Sequence, residues 1–121
     1  MTVAILVFGR SAAAREQAVA DALKEGPPGT VSIILEGLPD GTDRLAAAAA
    51  TMQATIVRIA PGCICCTGNL PMRVTLNRLL RARPERLFIG VADARHVDGI
   101  RAFLSQPPYD ALLTLSMIDA G

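Results

Sequence analysis

Short apolar runs alternate along this chain with longer segments whose apolar residues recur at helical spacing. Val3 to Phe8 is an unbroken apolar run that includes two valines and an isoleucine. Such a run predicts a strand buried on both faces, since a half-exposed strand would alternate. Gly9-Arg10-Ser11 then turns the chain. Ser11 is placed to cap a helix over Ala12 to Lys24, with Val19, Ala20 and Leu23 facing inward. Gly26-Pro27-Pro28-Gly29 ends that helix.

The alternation continues. Val31 to Leu35 reads as a second strand, and Leu38-Pro39-Asp40-Gly41 as a turn. The Ala-rich stretch from Asp43 to Met52 predicts a helix of small residues that lies close on a sheet. Ala54 to Ile59 is a third strand. A helix capped near Asn69 runs to about Arg83, with Pro71 tolerated in its first turn and an apolar stripe of Met72, Leu76, Leu79 and Leu80. Arg73, Arg78, Arg81 and Arg83 fall mostly outside that stripe and read as a solvated face. Arg86 to Val91, Val97 to Leu104 and Ala111 to Ile118 give a fourth strand, a further helix and a fifth strand. Alternating strands and helices predict an α/β fold in three layers: a mostly parallel sheet of about five strands with helices on both faces. The fifth strand is free to lie at a sheet edge, a setting that favours dimerisation.

Composition narrows the picture. The chain has 121 residues, 51% hydrophobic and 19% charged, which suits one domain, residues 1–121, with a real core. Aromatics are 3% and Trp is absent, so little is available for stacking on bases. The formal net charge is +1, which offers no footprint for nucleic acid. No apolar run approaches the length of a membrane span, and the amino end lacks a basic, long-apolar leader pattern. The expectation is a cytoplasmic protein without nucleic-acid or membrane partners.

The densest chemistry is Cys63-Ile64-Cys65-Cys66, which holds all three cysteines of the chain between Gly62 and Gly68. An odd, clustered set argues against a secreted disulfide framework. Converging thiolates suit zinc, another soft divalent ion or Cu(I). Three leave one tetrahedral position for water, a side chain or a second molecule. A reversible disulfide and inert packing are the competing readings.

Gly62-Cys63-Ile64-Cys65-Cys66, with the Leu-rich helix after it and Arg83-Pro84-Glu85-Arg86-Leu87-Phe88-Ile89, resembles the CobW-like GTPases. These are P-loop proteins linked to metal trafficking, many with zinc. Ile118-Asp119-Ala120 looks like the family's Val-Asp-Ala strand end. The resemblance implies a P-loop NTPase-like fold, of which this chain covers the front part of a G domain, with Cys63, Cys65 and Cys66 as metal ligands. Glu36 stands near a family Asn-Glu-x-Gly segment. It is either a fourth, oxygen ligand or a solvent-facing loop carboxylate. His96, the lone histidine, is either a ligand or a surface residue.

The nucleotide motifs have decayed. A P-loop reads G-x-x-x-x-G-K-[ST], and here the window is Gly9-Arg10-Ser11-Ala12-Ala13-Ala14-Arg15-Glu16. Ala14 adds a Cβ where the loop must hug phosphate. Arg15 keeps charge without the compact ammonium. Glu16 puts a carboxylate where the Mg²⁺ ligand belongs. In place of the family's Glu-x-x-Gly after the fourth strand stands Gly90-Val91-Ala92-Asp93, and no guanine-recognition motif follows. Gly9 and Arg15 remain the candidate cofactor-binding residues, but GTP is not expected to bind. The residues show no catalytic triad. The expectation is a metal-handling or metal-sensing pseudo-GTPase, able to pair with itself or with an intact family member. Residual GTP hydrolysis, or a protein-interaction or redox module on the same fold, are the alternatives.

Overall fold

The computed structural model describes residues 2–26, 29–36, 45, 50, 54–59 and 70–121. Five strands form one sheet: β1 (Thr2–Phe8), β2 (Val31–Glu36), β3 (Thr55–Ile59), β4 (Arg86–Val91) and β5 (Leu113–Asp119). Their order is β3-β2-β4-β1-β5, and every pairing is parallel. The helices whose full span lies among the described residues are α1 (Ala12–Glu25), α2 (Leu70–Arg81) and α3 (Val97–Leu104). The α/β, P-loop NTPase-like fold is therefore present, with β5 at one edge and β3 at the other.

Strand pleating sorts the apolar runs onto two faces. One row across the sheet is Ile56, Ile33, Phe88 and Ile5. These residues pack with Val19, Ala20 and Leu23 of α1 and with the buried, helical Leu45. The next row is Val57, Ile34, Ile89 and Leu6. It lies under Met72, Leu76 and Leu79 of α2 and Val97, Ile100 and Leu104 of α3. Because both faces are covered, the unbroken runs at β1 and β4 are needed. The second row reaches Met117 on β5, where cover runs out and the side chain is 44% exposed. Tyr109 closes the α3 side, donating from its hydroxyl to Asn77 Oδ1 at 2.8 Å.

The expected elements shift at a few ends. The helix expected to reach Arg83 stops at Arg81, and Arg83 takes φ 51. Pro84 bars further right-handed helix at Arg83, and a left-handed residue just past a helix end is a common way to close it. The last strand begins at Leu113 rather than Ala111, because Tyr109–Ala111 forms a 3₁₀ turn. Most of the expected Asp43–Met52 helix lies outside the described residues, although Leu45 and Ala50 are helical. Among the described residues no helix is long and apolar enough to cross a membrane.

Candidate metal and nucleotide site

The carboxyl ends of β1, β2 and β4 meet the start of α1, the usual ligand edge of a parallel sheet. Ser11 is the N-cap of α1, in extended geometry, and its Oγ accepts from Ala14 N at 3.0 Å. Ser11 O accepts from Arg15 N at 3.1 Å. The helix thus begins at Ala12, inside the window that a phosphate loop would occupy. With Arg10 N, which donates to Gly121 O at 3.2 Å, three backbone donors of that window are paired within the chain. Gly9 is held from the other side: a Cβ there would lie 3.0 Å from Ala120 Cβ, so the close approach of the segment after β5 requires glycine.

Arg15 and Glu16 point into the protein, at 7% and 6% exposure. Arg15 Nη1 donates to Gly9 O at 2.9 Å. Burial lowers the Arg15 pKa, while the nearby charges of Glu36 and Glu16 oppose that shift. Glu16 Oε1 pairs with Arg58 Nη2 at 2.9 Å, across 42 positions of sequence. Glu36 is the last residue of β2, and its Oε1 accepts from Ala92 N at 2.7 Å. This corrects the solvent-facing alternative for Glu36: the side chain is buried at 5% exposure because strand β2 extends one residue further than its apolar run. The four charged side chains, with Ala12, Leu35 and Gly90, enclose about 10 Å³. That is about the space of one water, and too small for a phosphate group.

Gly90 lies where the resemblance expects an acid. A Cβ there would meet Leu35 Cδ2 at 2.9 Å. Gly90→Glu would also add a carboxylate to a space already lined by Glu16 and Glu36. The expected result is a loss of about 2 kcal/mol from overpacking alone, read as a lower urea midpoint with no gain of GTP binding.

A wider depression of about 810 Å³ opens beside this cluster, lined by Phe8, Gly9, Arg10, Ala92, Asp93, Ala94, Asp119 and Gly121. Its two carboxylates outnumber its one guanidinium, the wrong balance for holding phosphates. Asp93 caps the 94–96 turn by accepting from Arg95 N at 2.9 Å, and its carboxylate grips the Arg95 side chain at 2.7 Å. Those side-chain and backbone hydrogen bonds from Arg95 hold the Asp93 pKa far below the usual carboxylate range. A depressed carboxylate contributes stability that is complete above its unfolded pKa and is lost as pH falls through the folded one. A carboxyl NMR titration should therefore find Asp93 still ionised at a pH well below the ordinary carboxylate range.

His96 ends that turn, with Nε2 4.0 Å from Asp93 Oδ2. Its buried Nδ1 has no hydrogen-bond partner among the described residues. Among those residues no three His, Cys, Asp or Glu side chains gather as a metal site. Cys63, Cys65 and Cys66 lie outside the described residues. The strand that leads to them is described: Ile59, four residues before Cys63, ends β3 in register with Glu36. Of the candidate residues, the structure brings Gly9, Arg15 and Glu36 together at this edge. Sequence reasoning missed Arg58, whose only sequence signal is a lone charge inside an apolar strand.

Comparison with known proteins fits this arrangement. The chain is 40% identical over 63 residues to the zinc chaperone YeiR of Escherichia coli (strain K12). That stretch is 51% of this chain and 19% of the relative, so the chain spans less than a fifth of the curated protein it matches. No solved structure matches. The family model described as CobW/HypB/UreG, nucleotide-binding domain, matches residues 32–120, nearly three quarters of the chain. The chain therefore belongs to the CobW/HypB/UreG nucleotide-binding domain family.

Proposed function

We propose that this chain is a metal-binding pseudo-GTPase unit, with zinc as cargo on Cys63, Cys65 and Cys66 and a role in metal handling or sensing. The observation that carries the loss of nucleotide function is the filled cavity at the end of β2. Arg15, Glu16, Glu36 and Arg58 line a space of about 10 Å³ where the resemblance calls for phosphate and Mg²⁺. Glu16 pairs with Arg58, Arg15 bonds Gly9 O and Glu36 accepts from Ala92 N, in a space too small for phosphate. Metal handling is supported by the family and by the likeness to a zinc chaperone. Three soft thiolates with an open fourth position suit transfer, because an incoming ligand has somewhere to bind. Glu36 is in register with the root of the cysteine loop, and we assign it as a weak oxygen ligand that holds the fourth position until an incoming ligand displaces it.

Two titrations test the reading. The reduced chain should take up zinc tightly under anaerobic conditions, and calorimetry with GTP and Mg²⁺ should show no binding. Measurable GTP affinity would transfer the reading to a residual GTPase. Among the described residues β5 is an edge strand, which supports a second feature, pairing of two copies. A stoichiometry of one zinc per two chains would favour a shared site, and one per chain a site within a single copy.

A further inference from the structure

The net charge of +1 hides an asymmetry along the chain. No Asp or Glu occurs between Asp43 and Glu85, while Arg44, Arg58, Arg73, Arg78, Arg81 and Arg83 fall in that interval. The interval therefore carries +6, and the rest of the chain, with 6 basic and 11 acidic residues, carries −5. Such segregation points to a partner of opposite sign rather than to a generally solvated surface.

The fold decides which of these arginines are available. Arg58 is engaged with Glu16. Arg73, Arg78 and Arg81 are exposed on α2, and none of them has an acidic side chain in ion-pairing range among the described residues. Val74, Arg78 and Arg81 follow i, i+4, i+7 spacing, which puts them on one ridge. Arg73 sits beside it, and Val74 is 53% exposed, the most exposed large apolar side chain among the described residues. The helix dipole gives a reason for Arg78 and Arg81 in the last turns. It gives none for Arg73 in the first turns, for an acid-free face, or for an uncovered valine among the guanidinium groups.

We propose that the Arg73, Val74, Arg78 and Arg81 ridge of α2 is a docking surface for an acidic amphipathic segment of a partner protein. Guanidinium groups pair with carboxylates in forked geometry, and one apolar side chain of the segment covers Val74. The ridge has no aromatic to stack a nucleic-acid base. One valine is also too little apolar surface to enter a lipid interface. Helix α2 begins four residues after Cys66, so the ridge follows the thiols closely in sequence. The docking itself does not depend on the metal reading.

The test is fluorescence anisotropy with the full chain and a labelled helical peptide carrying Glu at i, i+4 and i+7 around a Leu. The peptide should bind at low salt and weaken as salt rises. Arg73→Glu Arg78→Glu Arg81→Glu should weaken it at least about tenfold. The control Lys24→Glu Arg101→Glu, of exposed cations elsewhere, should not. Val74→Ser should weaken binding while leaving its salt dependence intact. Circular dichroism on each variant shows that the exposed substitutions leave the fold in place. No peptide binding, equal loss in the control, or tighter binding of a single-stranded oligonucleotide or of phosphatidylserine vesicles would overturn the proposal.

Discussion

Changing Cys63, Cys65 and Cys66 together to serine is expected to abolish tight zinc uptake by the reduced chain. The reason is chemical. Zinc binds the thiolate, which a cysteine near a cation supplies at neutral pH, whereas a serine hydroxyl stays protonated and is a poor ligand. Size and polarity change little, so the fold should persist, with the circular dichroism of the described helices and strands as the check. Competition against a chromophoric chelator under anaerobic conditions should show the affinity falling by more than about a hundredfold, or about 2.8 kcal/mol. The Cys65→Ser Cys66→Ser double variant should already lose most of it. Glu36→Gln should lose less, because its amide oxygen can still accept from Ala92 N and only the charge is removed. Unchanged affinity in the double variant would remove the metal reading and leave the cysteines to redox chemistry or packing.

Much of the architecture is local and therefore legible in the sequence. Continuous runs without a polar side chain at Val3 to Phe8 and Leu87 to Val91 are what two-faced burial requires, and both lie in central strands. Ser11 before an alanine-rich start is a local capping signal, and it caps α1. Other features depend on partners distant in sequence. Nothing near Glu16 announces that Arg58 will meet it, because the pair exists only once β3 is laid at the sheet edge beside β2. Glu36 read as a loop residue because hydrophobicity stops at Leu35. The strand nonetheless runs on, and a backbone N–H of the segment after β4 meets the carboxylate. The decay of the nucleotide motifs was visible residue by residue. That Arg15 and Glu16 turn inward and fill the space required the topology.

Arg15 offers the sharpest distinction between a filled site and a waiting one. If it is a phosphate ligand held for a nucleotide, Arg15→Met should leave stability nearly unchanged and remove GTP affinity. If it is part of the packing, the cost appears in folding. Arg15 is 7% exposed as a residue, and its guanidinium bonds Gly9 O at 2.9 Å and feels the charges of Glu36 and Glu16. Removing it leaves a partly buried carbonyl oxygen without this donor and two buried carboxylates with less positive charge beside them. Stripping one partner from such a buried set costs on the order of 3 kcal/mol. Urea unfolding should show that loss, with GTP binding absent before and after. Arg15→Lys, which restores the P-loop residue, should recover only part of the stability, since a compact ammonium cannot reproduce the guanidinium fork. Arg15→Met Glu36→Gln should be less destabilised than the two single changes added together, because the carboxylate left uncompensated is then neutralised. Strict additivity would mean that Arg15 and Glu36 act independently, and the charge cluster would then be no more than neighbouring side chains.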